Sequence, residues 1–312
     1  MRLNYDKVKE EVLGCWPGIF NHFGVEVGDG RRHIACPLCG KDNFRFDDKN
    51  GRGTFICTCG AGDGWKLLCE TQGVDFRAAL EMVAPLLGSV EPVHTVSKPK
   101  TISPQMAHKI FKGAERASRE NLTGRYLINR GLRACPETLR YHPALLEKDS
   151  GQKMPAMLAV IANRTGEAVA IHRTYLTPDG RKAEIPDPKK VTPNVAGKDL
   201  TGRAVRLFPP EDNCLGIAEG IENALACYEI HGIPTWATTT ANLMIAWEPP
   251  EGIPLRKILI FGDHDTSYTG QSAAYQLAHK LKVRRQIDVE VMLPMQPGTD
   301  WLDELVERRK VA

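Results

Sequence analysis

A multidomain α/β fold is predicted for this 312-residue chain by three features of its sequence. The last third alternates short apolar runs with helix-like segments, the pattern of a mostly parallel sheet covered by helices. The middle third sets two strand-like runs about a turn within a basic, α+β stretch, and the first third holds four cysteines in two close pairs. A chain of this length accommodates two or three domains.

Taken in order, residues 1–88 form the first domain. Positions 5–23 read as an amphipathic helix with Val8, Val12, Leu13 and Trp16 inward, interrupted at Pro17-Gly18. Residues 65–68 and 76–83 again have helical spacing, and Pro85 and Gly88 end the pattern. Residues 89–104 carry Pro92, Pro99 and Pro104 and read as an extended tether. The second domain, 105–204, follows from a helix start at Ser103-Pro104, with a long polar helix expected through Arg119. Runs at 156–162 and 168–176 flank Asn163-Arg-Thr-Gly166, a hairpin signal. The third domain, 205–312, has expected strands at 214–218, 234–238, 257–262 and 287–293.

Cys36 and Cys39 are followed seventeen residues on by Cys57 and Cys59, with glycine after the second member of each pair. Two such turns point thiolates at one tetrahedral ion, so a structural Zn2+ site is expected. Strand-like runs at 44–46 and 53–56 suit a zinc ribbon. The single residue between Cys57 and Cys59 is a tighter chelate than usual, and His33 is an alternative ligand if one of that pair falls short. Cys15, Cys69, Cys135, Cys214 and Cys227 sit in apolar contexts and read as core.

Two apolar runs in the last third end in acids: 214–218 in Glu219, and 258–261 in Gly262-Asp263-His264-Asp265. Parallel sheets place ligands at the carboxyl ends of their strands, so both groups are expected on one rim, where clustered acids hold a divalent metal. His264 is expected to face away, magnesium preferring oxygen. Asp300 and Asp303 share a face of a helix's first turn; either completes the site, or Asp300 caps the helix. Glu222 reads as a helix-surface residue. Charge is uneven: residues 99–204 carry 19 Lys and Arg against 10 Asp and Glu, whereas residues 205–312 carry 10 against 15. The basic middle suits a polyanion. No apolar run approaches the ~20 residues of a membrane span. The charged N-terminus lacks the apolar centre of a secretory signal, so a cytoplasmic location is expected.

The stretch Cys36-Pro-Leu-Cys-Gly40, with Phe44-Arg-Phe46 and Cys59-Gly-Ala-Gly-Asp-Gly64, resembles the zinc-binding domain of phage and plasmid primase-helicases. Ala218-Glu-Gly-Ile-Glu-Asn-Ala-Leu225, Gly262-Asp-His-Asp265 and Pro297-Gly-Thr-Asp-Trp-Leu-Asp303 resemble the three acidic motifs of a Toprim domain, a small parallel sheet between helices. The middle segment looks like the part that precedes Toprim in such mobile-element primases. The resemblance implies short RNA primers made on single-stranded DNA from ribonucleoside triphosphates, with Mg2+ or Mn2+ held by Asp263, Asp265 and Glu219. Glu219 is a third ligand or the general base, and Asp300 or Asp303 completes the catalytic set. Arg125, Arg130, Arg173 and Lys182, with Arg45 and Arg52 of the ribbon, are the expected nucleic-acid contacts, and Tyr126, Tyr141 and Tyr175 are candidates to stack bases. No Gly-x-x-x-x-Gly-Lys-Ser/Thr loop occurs in the sequence, so the resemblance implies a separately encoded replicative helicase. A Toprim nuclease and a non-catalytic DNA-binding or helicase-recruiting protein are the competing readings.

Overall fold

In the computed structural model, which describes residues 5–30, 32–88 and 101–311, Val8, Val12 and Trp16 are buried as expected, Leu13 is only partly so, and Ile19 and Phe20 are buried beside them. Instead of one helix broken at Pro17 there are two, α1 (Tyr5–Glu11) and α2 (Trp16–His22). Pro17 lies in the first turn of α2, where its missing N–H is harmless. The break comes earlier, at 12–15, where Gly14 N donates to Gly51 O at 2.7 Å. A three-stranded antiparallel sheet follows: β1 (Arg45–Phe46), β2 (Phe55–Cys57) and β3 (Gly60–Gly62). Helices α3 (Gly64–Gln72) and α4 (Phe76–Val83) come next, capped by Asp63 and Asp75, whose carboxylates accept from Lys66 N and Ala78 N. Trp16 centres this core, stacked on Phe20 at 5.4 Å and edge-on to Trp65 at 4.9 Å. Its ring lies so close to Gly64 that an added Cβ would sit 2.1 Å from it, so only glycine fits at the start of α3.

These elements lie in one compact unit, Met1–Lys100; the other is Thr101–Ala312. The tether expected over 89–104 falls, for 89–100, outside the described residues. The second unit begins with β4 (Thr101–Ile102) and α5 (Pro104–Lys112). The long helix expected through Arg119 stops at Lys112, because Gly113 caps it and the chain is drawn into β5 (Glu115–Arg116), opposite Tyr141 and Arg140. Next come α6 (Leu122–Asn129), β6 (Leu139–Leu146), the expected hairpin as β7 (Lys153–Ala162) and β8 (Ala168–Tyr175), then β9 (Lys189–Val191), β10 (Asn194–Val195) and β11 (Ala204–Val205).

The last third alternates as its pattern predicts: β12 (Cys214–Ala218), α7 (Ile221–His231), β13 (Thr235–Ala237), α8 (Ala241–Ala246), β14 (Lys257–Phe261), α9 (Thr269–Arg285), β15 (Asp288–Met292) and α10 (Trp301–Val311). The order β15-β14-β12-β13 is parallel throughout. Leu215, Ile217, Ile258 and Ile260 pack with α8 and α9 on one face. Ala218, Leu259 and Phe261 pack with α7 and α10 on the other, as the two-residue period of a strand demands. The boundary expected at 205 falls inside β11, which pairs antiparallel with both β7 and β13 and so joins the middle strands and the parallel strands into one ten-stranded sheet. No helix among the described residues is long and apolar enough to cross a membrane.

Candidate catalytic and metal centres

The first turn of the ribbon folds about Cys36: Gly40 N donates to Cys36 O at 2.8 Å and Leu38 N reaches Cys36 Sγ at 3.4 Å. Cys57 ends β2 and Cys59 precedes β3, with Cys57 opposite Gly60, so the tight β2–β3 hairpin turns both thiols the same way. Cys36 and Cys59 Sγ stand 3.7 Å apart, Cys39 and Cys57 Sγ 3.8 Å apart. Tetrahedral zinc at about 2.3 Å from each sulfur needs edges of about 3.8 Å, so the four thiols fit the ion. All four lie within 4.8 Å of one another, and His33 is outside the set. Burial opposes ionisation of Cys57, but the Cys59 N–H and the neighbouring thiols outweigh it and hold its thiol down to about 7. That favours a thiolate ligand. Arg45 and Arg52 are exposed on the same unit, beside Asp47 at 3.9 Å and Asp63 at 3.5 Å.

In the second unit Ala218 lies opposite Ala237 and Phe261. Glu219 and the Gly262-Asp263 segment therefore leave the sheet side by side, in the crevice between β12 and β14 where the strand order reverses, with Thr238 on the other side of Glu219. Burial raises the pKa of Glu219, and Asp265 raises it further. Asp263 is pushed up to about 7, first by burial and then by Glu219, Asp300 and Asp265. Asp263 thus feels all three other acids. Asp265 Oδ2 accepts from Gly270 N at 2.8 Å and its carbonyl from Gln271 Nε2 at 2.8 Å. A Cβ on Gly270 would stand 2.7 Å from Asp263 O, so a side chain there would displace the acid.

Asp300 and Asp303 divide their roles. Asp300 Oδ1 accepts from Asp303 N at 2.9 Å and Asp303 Oδ2 from Asp300 N at 3.2 Å, a reciprocal cap on α10. Asp300 is half-buried and raised mainly by burial, whereas Asp303 is exposed. His264 Nδ1 meets Pro294 O at 2.9 Å, turned toward the 294–299 loop. Among the described residues no three of these carboxylates gather as closely as the thiols do. An anionic, half-buried, all-oxygen rim looser than the thiol cluster fits a hard divalent ion that keeps waters and substrate phosphates among its ligands.

The basic residues are less uniform than the sequence suggests. Arg125 and Lys182 are exposed and Arg130 is half-buried. Burial lowers the pKa of Lys182, as do Lys189 and Arg130, while Glu222 and Asp300 oppose this, so these cations border the acid rim. Arg173 is only 9% exposed, with Nη1 donating to Tyr175 Oη at 3.3 Å. The inward face of β8 carries it, and it is not the surface contact its sequence position suggests. Tyr126 and Tyr175 are buried too, donating to Glu222 and to Leu146 O, so neither offers a stacking face, whereas Tyr141 is partly exposed.

Glu222 likewise corrects its surface assignment: it is 4% exposed, with Lys189 Nζ 2.8 Å from its Oε1. Burial opposes its ionisation, but Lys189 and the Tyr126 hydroxyl prevail and hold its carboxyl at about 2. Lys189, Asn223 and Gln271 were not singled out by the sequence; the meeting of distant elements gives Lys189 and Asn223 their partners. Of the five cysteines expected in the core, Cys15 and Cys227 are buried and Cys69, Cys135 and Cys214 partly so.

Three family models match in succession. Residues 31–65 match the zinc-binding domain of primase-helicase, 102–202 a domain of unknown function (DUF7146), and 214–310 the Toprim domain. Among solved structures, the Aquifex aeolicus primase (zinc-binding and RNA polymerase domains) is 16% identical, covering 100% of this chain and 85% of its own, with a TM-score of 0.41. The primase fragment of the bacteriophage T7 primase-helicase protein is 14% identical, covering 90% of this chain and 96% of its own, also at 0.41. A DNA primase domain from Pseudomonas aeruginosa is 14% identical over 64% of this chain and 71% of its own, at 0.41. The chain therefore carries a primase-helicase type zinc ribbon and a Toprim domain, in that order.

Proposed function

We propose that this chain, with a primase-type zinc ribbon at 31–65 and a Toprim domain at 214–310, is a DNA primase. It makes short RNA primers on single-stranded DNA for replication of a mobile element, working with a separately encoded helicase. The observation that carries this reading is the acid rim: Glu219, Asp265 and Asp300 all bear on Asp263, at two strand ends and a helix start of the Toprim domain. Mg2+ or Mn2+ held by Asp263, Asp265 and Glu219 would neutralise charge building on the phosphoryl oxygens.

The chain's own residues prepare the rest. In the reaction a primer 3′-oxygen forms a bond to the α-phosphorus, the bond from that phosphorus to the β-phosphate bridging oxygen breaks, and pyrophosphate leaves. If Asp263 and Asp265 hold the ion without it, Glu219, with its raised pKa, is instead suited to take the 3′-hydroxyl proton. Arg130 and Lys182, near Asp300, are suited to hold phosphates, Arg125 adds to their positive charge, and Arg45 and Arg52 are separate candidate contacts on the ribbon. The competing nuclease reading uses the same rim.

With single-stranded DNA, ribonucleotides and Mg2+, oligoribonucleotides are expected, falling on the order of a hundredfold or more in Asp263→Ala. No product across a random template library would overturn the primase reading. Shortening of labelled DNA without added nucleotides would favour the nuclease.

A further inference from the structure

Asn223 is 7% exposed in the first turn of α7. Its Nδ2 donates to Asp263 Oδ1 at 2.9 Å, and its Oδ1 accepts from Leu302 N at 3.3 Å. One amide therefore joins three elements far apart in sequence: α7, the segment after β14, and the first turn of α10, which Asp300 caps. Among the described residues no hydrogen bond reaches Asp263 Oδ2, so the amide occupies one carboxylate oxygen and leaves the other to the rim.

We propose that Asn223 is a positioning residue for this site, fixing the Asp263 carboxylate and holding α10, with Asp300, in register with it. The chemistry restricts what serves at 223. The side chain must donate on one side and accept on the other at this reach. A carboxylate would keep the acceptor for Leu302 but turn an acceptor toward Asp263, adding charge beside Glu219, Asp265 and Asp300. Glutamine is a methylene too long, and alanine leaves a buried carboxylate oxygen and a buried N–H unpaired. Groups behind a ligand that fix its orientation commonly alter metal affinity on the order of tenfold to a hundredfold.

The inference rests on Asp263 being a metal ligand, and the test separates the two. Titrating the full chain with Mn2+ alone, by calorimetry, is expected to give binding that disappears in Asp263→Ala and weakens on the order of tenfold or more in Asn223→Ala. Hydrogen exchange at the Leu302 amide is expected to accelerate in Asn223→Ala but to stay protected in Asn223→Asp, which retains the acceptor. Asn223→Asp is nonetheless expected to prime poorly at the Mg2+ concentration that saturates the unsubstituted protein. Asp263-dependent binding of unchanged affinity in Asn223→Ala, or full priming by Asn223→Asp, overturns this inference alone. Absence of Asp263-dependent binding in the unsubstituted protein overturns the metal reading and this inference with it.

Discussion

The thiol cluster of the first unit and the carboxylate rim of the second each use four ligand-type side chains, and they are assembled in opposite ways. The thiols come from two short turns of one small sheet and crowd within 4.8 Å of one another. The carboxylates come from two strand ends and a helix start, three of the four partly engaged by amides: Asn223 on Asp263, Gly270 on Asp265 and Asp303 on Asp300. A closed soft site makes the ion part of the fold. An open hard site is held by protein hydrogen bonds whether or not an ion is present. On the function proposed above, the difference separates a metal that builds structure from one that is used in turnover.

The strongest way to break this contrast is to remove a metal ligand from the ribbon. Cys39→Ser is expected to lose stoichiometric zinc and to destabilise its unit by several kcal/mol, since apparent zinc-binding energies run at about 10–16 kcal/mol. Metal analysis and a thermal melt check this; an unchanged melt with one zinc retained would remove the structural role. Withdrawing Mg2+ is expected to leave the melt of the second unit nearly where it was.

A smaller effect tests whether the rim is braced by protein alone. Glu222→Ala is expected to cost about 3 kcal/mol, at the low end for breaking a buried pair because Lys189 can turn toward solvent. Glu222 has a folded pKa of about 2 against an ordinary 4.5. Its contribution is therefore complete above about pH 4.5 and is lost as pH falls toward 2. Denaturant midpoints of the unsubstituted and Glu222→Gln proteins should accordingly converge below pH 3; a constant gap would mean that the charge is not what braces α7.

The smallest effect sharpens the role of the basic middle. Arg130→Ala and Lys182→Ala are each expected to reduce the salt dependence of single-stranded DNA binding by a slope of about 1. Arg173→Ala should leave the slope alone and lower the melting temperature, since that side chain is buried. Equal slopes for all three variants would undo this distinction.

What the sequence conveyed follows from how local each feature is. The zinc turns and the strands ending at Glu219 and Asp263 are each written within a dozen residues. The choice between Asp300 and Asp303 was not, although both lie in one turn. It depends on a reciprocal cap and on which carboxylate bears on Asp263. Glu222 and Arg173 were misread for a different reason. Polar side chains look exposed until a distant partner covers them, and Lys189 and Tyr126 lie 33 and 96 residues away from Glu222 in sequence.

The two-residue strand β11 carries a consequence for how such a protein can be rearranged by recombination. Paired with β7 on one side and β13 on the other, it makes the basic region and the acid-bearing region a single inheritable block. An exchange at 204/205 would leave both sheet fragments with a raw edge, each a template for wrong pairing. An exchange just before Thr101 respects the division into two units. Natural or engineered shuffling of this chain is therefore expected to swap ribbons freely while keeping everything from Thr101 onward together.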